Sequence, residues 1–176
     1  MFSKEINVLK DVTLDISGNE VTARGPQGEV KKALDVPKNV KIEVIENKVR
    51  VSSDSERRST KAIVGAISAH IKNVMEGATK GYTYKLRVIY SHFPVTVKSE
   101  NDKILVNNFL GERVPRIAKI LGGVKVKIDQ QDITVTGASL DDVSQTAANI
   151  EQTCRIVGFD KKVFQDGIYI TSKNTD

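Results

Sequence analysis

The sequence predicts an α+β protein made of two tandem repeats, each a small antiparallel sheet packed with one helix. Three observations predict it. The hydrophobic period switches twice from two residues to about 3.6, each time after a run of short strand patterns. Sliding the 176-residue chain against itself by 83 or 84 positions superposes the two runs in order. Residues 1–81 and 82–176 are each long enough to hold one core, so they are expected as two domains.

In the first copy, Val12, Leu14 and Ile16 alternate with Thr13 and Asp15, the period of a half-buried strand. Gly18-Asn19 turns the chain, and Val21 to Arg24 resumes a strand. Gly25-Pro26-Gln27-Gly28 has the composition of a tight turn, with proline fixing φ and the glycines free to take positive φ. Val40, Ile42 and Val44 alternate with Lys41 and Glu43, and Glu46-Asn47-Lys48 leads into Val49-Arg50-Val51, a hairpin pattern. Ile63, Val64, Ile67, Ile71 and Val74 then share one face of a helix. Ser53 with Glu56 resembles a capping box for its start, and Gly77 suits its end.

The second copy repeats the order. Val95-Thr96-Val97 answers Val12-Thr13-Leu14, Ile104 answers Val21, and Leu110-Gly111-Glu112 falls on Gln27-Gly28-Glu29. Val124, Val126 and Ile128 alternate with Lys125 and Lys127, and Gln130-Gln131-Asp132 turns into Ile133-Thr134-Val135. A helix is expected from Ser139, with Asp141 and Asp142 in the first turn, where carboxylates favour the helix dipole. Its buried face is Val143, Ala147, Ile150 and Cys154. Tyr82, Tyr84, Leu86, Val88 and Tyr90 mark a strand long enough to run from one repeat toward the other, which implies a rigid connection. Asp166-Gly167 is expected as a tight turn into a last strand, the counterpart of Tyr82 to Val88 by position in the repeat.

Composition narrows the function. Cys154 is the only cysteine, so neither an intramolecular disulfide nor a cysteine-built zinc site can form. The first residues lack an apolar signal core, and the most apolar window, residues 62–71, falls well short of the ~20 residues that span a bilayer. A soluble cytoplasmic protein is expected. There is no phosphate-binding Walker loop and no Gly-x-Gly-x-x-Gly. His70 lies among apolar helical positions, and neither it nor His92 has an acidic or thiol cluster beside it in sequence. No catalytic residue, metal, cofactor, small-molecule substrate or membrane partner is expected.

Charge points to a polyanion. The chain has 27 basic and 22 acidic residues, for a net charge of +5. Residues 80–127 hold ten of the bases against three acids, whereas residues 128–176 hold four bases against eight acids. A lysine-rich strand is usually just a solvated face. Here, though, the basic segment includes Asn107-Asn108-Phe109-Leu110-Gly111-Glu112-Arg113-Val114-Pro115-Arg116, an irregular stretch that offers amides and guanidinium forks. Such groups suit phosphates, sugar hydroxyls and base edges of folded RNA. Phe109 is expected in the core.

Taken in order, Arg24-Gly25-Pro26-Gln27-Gly28-Glu29, Gly81-Tyr82-Thr83-Tyr84-Lys85-Leu86-Arg87, Ser91-His92-Phe93-Pro94, Asn107 to Glu112 and Asp166-Gly167-Ile168-Tyr169-Ile170 form a set. Along essentially its whole length the chain resembles the large-subunit ribosomal protein six family, in its archaeal and eukaryotic form. Phe159 and Lys162 depart from that pattern, where a basic residue and an arginine would be expected. The resemblance implies a non-catalytic constituent of the large ribosomal subunit, bound to large-subunit rRNA near the region where translation factors dock. It also implies neighbouring ribosomal proteins as partners and the second repeat as the main RNA-binding domain. The RNA contacts it implies are Lys85, Arg87, Asn107, Asn108, Arg113, Arg116, Lys119 and Lys173, followed by Lys161, Lys162 and Tyr169. The alternative is an RNA-binding or protein-interaction module of the same fold acting off the ribosome.

Overall fold

Short runs with a branched apolar residue at every second position fold as strands, because one face of each then buries while the other stays wet. The computed structural model describes residues 2–9, 11–45 and 48–173. Between Gly81 and Tyr82 the chain divides into two compact units. Each unit combines antiparallel sheets with one helix, the α+β architecture expected from the sequence.

The first unit contains β1 (Phe2–Asn7), β2 (Thr13–Ser17), β3 (Glu20–Gly25), β4 (Gly28–Ala33), β5 (Val40–Ile45), β6 (Lys48–Ser53) and α1 (Arg58–Thr79). Its sheets have the orders β1-β6-β5 and β2-β3-β4. The helix packs on β1, β3, β4 and β6. Val64, Ile67, Ile71, Val74 and Met75 form its buried stripe, and Val21, Ala23, Val49 and Val51 are buried in the strands. Glu46 and Asn47, expected to turn the chain between β5 and β6, lie outside the described residues.

Both expected helix signals fail for α1. Its N-cap is Arg57, without a side-chain cap, because Ser53 lies at the end of β6 and its hydroxyl donates to the Asn39 carbonyl at 2.9 Å. Gly77 is a buried residue of the last turn. The helix runs on to Thr79, and the left-handed position beyond it is Gly81, at φ +76°, whose N–H donates to the Gly77 carbonyl.

The Pro26-Gln27 turn closes β3 onto β4 with Gly25 opposite Gly28. Only Gly28 takes positive φ, at +128°. Gly25 is required for space: an added Cβ would stand 2.5 Å from the Ala78 carbonyl oxygen, which also accepts the Gln27 N–H at 3.0 Å. The turn is thus docked on the end of α1.

The second unit contains β7 (Tyr82–Ile89), β8 (Thr96–Glu100), β9 (Lys103–Asn107), a single 3-10 turn at Phe109–Gly111, β10 (Arg116–Lys119), β11 (Lys125–Asp129), β12 (Asp132–Gly137), α2 (Leu140–Thr153) and β13 (Gly167–Lys173). The sheets run β10-β9-β8 and β11-β12-β7-β13. Leu86, Ile104, Phe109, Ile133, Val143, Ile150 and Ile168 are buried in one core, so Phe109 is fully internal. Ser139 caps α2, accepting the Asp142 N–H. The Cys154 thiol is buried in the same core, which pushes its pKa up to about 12 and leaves it a small hydrophobe.

Pairing corrects the repeat in three places. The strand expected to run between the repeats is β7, and it lies wholly in the second sheet, between β12 and β13. Its counterpart in the first unit is β1, because Phe2 pairs with Ser53 as Tyr82 pairs with Gly137. That leaves β13 as a fourth strand without an equivalent. Finally, Leu110-Gly111-Glu112 does not answer Gln27-Gly28-Glu29. The offset of 83 between Val21 and Ile104 grows to 86 between their strand partners Lys32 and Ala118, so the second copy has three extra residues in this loop.

Asp166-Gly167 is not a tight turn. Gly167 opens β13, and Asp166 is buried with 1% of its surface exposed. Its carboxylate accepts the Ser91 N–H and O–H at 3.1 and 2.9 Å and the His92 N–H at 3.4 Å. Residues from the two ends of the unit are thereby tied together. A Cβ added to Gly167 would meet the Tyr169 ring at 3.2 Å, a tight contact.

Candidate nucleic-acid interface

Strand alternation decides which cations share a surface. In β7, Tyr82, Tyr84, Leu86 and Val88 point into the core, which turns Lys85 and Arg87 outward. In β11 the same alternation exposes Lys125 and Lys127, and in β13 it exposes Tyr169, Thr171 and Lys173. Register then aligns them across the sheet. Lys127, Thr134 and Lys85 form one row, and Asp129, Asp132, Arg87 and Tyr169 form the next.

The outer face of β11-β12-β7-β13 therefore carries cations and hydroxyls around an open depression of about 390 Å³, lined by Lys85, Arg87, Lys127, Thr134 and Thr171 together with the carboxylates of Asp129 and Asp132. Arg87 Nε lies 3.2 Å from the Asp132 carboxylate, with both side chains more than half exposed. A pair this wet holds its arginine only weakly. Among the described residues, no ion pair holds Lys85, Lys125, Lys127 or Lys173. Thr171 donates its hydroxyl to the Lys85 carbonyl at 3.0 Å, bracing the edge strand β13 against β7.

Of the residues predicted for RNA contact, the structure gathers Lys85, Arg87 and Tyr169 here; Lys173 follows a register shift in β13 and pairs with the core-facing Tyr84, which turns it off this face. The others lie elsewhere in the unit. Asn107 ends β9, and Asn108, at φ +58°, donates its amide to the Pro94 carbonyl at 3.1 Å. Arg113 is exposed in the extended loop, and Lys119 is exposed on β10. Lys161 and Lys162 are exposed on the turn that precedes β13.

Arg116 is occupied internally. Its guanidinium binds both Glu112 carboxylate oxygens at 2.8 and 2.6 Å and donates to the Thr153 and Arg155 carbonyls at 2.9 and 3.0 Å. It also lies 4.5 Å from the centre of the Phe109 ring. The hydrogen bonds from Arg116 hold the Glu112 carboxyl below its usual pKa. With its donors engaged, Arg116 braces the loop that carries Arg113, fastening it to the end of α2.

Two residues of the face, Lys125 and Lys127, were counted in the basic segment but not singled out as contacts. Their alternation with Val124, Val126 and Ile128 was the signal that they share an exposed side. His92 gains a partner that the sequence does not show. Asp166, remote in sequence, brings a carboxylate oxygen within 3.7 Å of its Nδ1, and its ring lies 4.8 Å from that of Phe164. His70 is half-buried and lies 3.0 Å from the Lys32 ammonium, a structural position. Among the described residues no helix is long and apolar enough to cross a membrane, and no cluster of ligating side chains could hold a metal ion.

The family model for ribosomal protein L6 matches residues 93–167. The large ribosomal subunit protein uL6 of Ignicoccus hospitalis is 41% identical over 172 residues, spanning 96% of this chain and 92% of that protein. The uL6 of Methanosarcina mazei is 44% identical over 171 residues, 97% of each chain. That of Saccharolobus solfataricus is 42% identical over 170 residues, 97% of this chain and 94% of its own.

Proposed function

Since the chain belongs to the ribosomal protein L6 family, we propose that it binds large-subunit rRNA through the outer face of β11-β12-β7-β13, close to where translation factors dock. It is a structural constituent of the large subunit of the cytoplasmic ribosome and not an enzyme. The observation that carries the RNA reading is the concentration of Lys85, Arg87, Lys125 and Lys127 on one exposed sheet face of a protein whose net charge is only +5.

Cations set on a paired sheet neutralise phosphates without first having to be ordered, and the released counterions supply sequence-independent affinity. Thr134 and Thr171 add hydroxyls between the cations, groups that suit phosphate oxygens and 2′-hydroxyls. The role is architectural, because the sheet fixes the spacing of the charges and so the path of the RNA laid on them. Asn107, Asn108, Arg113 and Lys119 lie on the other sheet and its loop. They would meet a second RNA segment or a neighbouring ribosomal protein.

Sedimentation tests the reading. Through a sucrose gradient at low salt the chain should travel with large subunits and be released as salt is raised. A chain that remains at the top of the gradient at low salt would overturn it in favour of a module working off the ribosome.

A further inference from the structure

Beside the sheet face, the chain between α2 and β13 encloses an open groove of about 290 Å³. Cys154, Ile156, Gly167 and Ile168 are its buried members, Phe164 and Tyr169 are its rings, and Arg155, Lys161 and Gln152 are exposed along it. Its volume is below the roughly 300–1,000 Å³ of pockets that enclose drug-sized ligands, so it has room for one planar ring system. The buried thiol keeps its proton, so this part of the groove is neutral and apolar.

The rings are fixed in place. Tyr169 lies against Gly167 and donates its hydroxyl to the Gln165 carbonyl at 3.1 Å. Phe164 touches the rings of His92 and Phe159 at 4.8 and 4.9 Å. Because they are ordered before any ligand arrives, they are suited to stacking. Arg155 and Lys161 bring two cations, and the one carboxylate lining the groove, Glu151, already accepts the Ile170 N–H at 3.1 Å. Tyr169 also pairs with Arg87 across β13 and β7, so the groove opens at the edge of the basic face.

We propose that this groove receives a single unstacked base of the bound RNA, stacked on Tyr169 and Phe164, with its phosphate held by Lys161 and Arg155. The proposal rests on the rRNA-binding reading above and adds to it a contact with a base rather than with backbone. RNA is read in sequence chiefly at unpaired bases splayed onto aromatic rings, whereas the flat sheet face reads only backbone.

The test measures binding of the full chain to a large-subunit rRNA transcript over a series of salt concentrations. Tyr169→Leu keeps an apolar side chain but removes the ring, and should weaken binding about tenfold at every salt with an unchanged salt slope. Tyr169→Phe should stay within about twofold, since stacking survives. Lys161→Ala should lower the slope by about one. Unchanged affinity in Tyr169→Leu would overturn the proposal.

A second measurement needs no variant. Irradiating the wild-type complex formed with 5-iodouridine-substituted rRNA should join RNA to Phe164, which lines the groove and not the sheet face. Adducts confined to the Lys85 and Lys127 face would overturn the groove while leaving the rRNA reading intact. If the wild-type chain binds that rRNA no better than an unrelated RNA of equal length, the rRNA reading itself falls.

Discussion

A carboxylate withdrawn from water is unfavourable unless donors replace the water it loses, and Asp166 has three, from the Ser91 N–H and O–H and the His92 N–H. Burial pushes its pKa up, but those hydrogen bonds and the nearby His92 outweigh burial and hold it below the ordinary value. A carboxyl whose folded pKa is depressed stabilises the fold above its unfolded pKa of about 4, and that contribution is lost as pH falls through the lower folded value. Asp166→Asn should therefore cost roughly 1–3 kcal/mol at neutral pH. It should also flatten the acid limb of stability below about pH 4, read as urea midpoints at successive pH values. An acid limb as steep as wild type would show that Asp166 is not the group responsible. No local pattern could have given this role, because Ser91 lies 75 residues away and Asp-Gly is the composition of a turn. Arg116 was hidden for the same reason: its chemistry suited RNA, while its partners at Thr153 and Arg155 are visible only in the fold.

Strands and helices were far more legible, because their periods are local. The start of α2 near Ser139 and its buried positions Val143, Ala147 and Ile150 followed from spacing alone, while Cys154 falls just past its last residue. The α1 caps did not, since Ser53 had the right composition but is held in β6 by its bond to Asn39. Docking between elements was the least visible. Gly25 looked like a residue chosen for its backbone freedom, yet the 2.5 Å approach of the Ala78 carbonyl shows that it is chosen for its lack of a side chain. Gly25→Ala must push the β3–β4 hairpin off the end of α1, with an expected loss of roughly 1–3 kcal/mol, the usual effect of overpacking. Urea denaturation should show a lower midpoint at constant slope. An unchanged midpoint would mean that the turn is not clamped there.

Across the whole molecule, charge counting located the basic stretch but not its surfaces. Residues 80–127 supply cations to both sheets of the second unit and to the loop between β9 and β10. Lys125→Ala with Lys127→Ala isolates one surface. The pair should lower the salt slope of rRNA binding by about two. Stability should stay within about 0.5 kcal/mol, because both residues are exposed and unpacked. An unaltered slope would move the RNA to another part of the protein.

The open sheet edges differ in how they are guarded. β13 has a register shift between Ile170 and Ser172 and ends in Lys173, features that discourage a further strand from joining. β5 is also an edge, yet it pairs regularly along its length and leaves Val44 and Ile45 about half exposed. Of these two edges, β5 is thus the one on which a second copy of the free chain could add a strand.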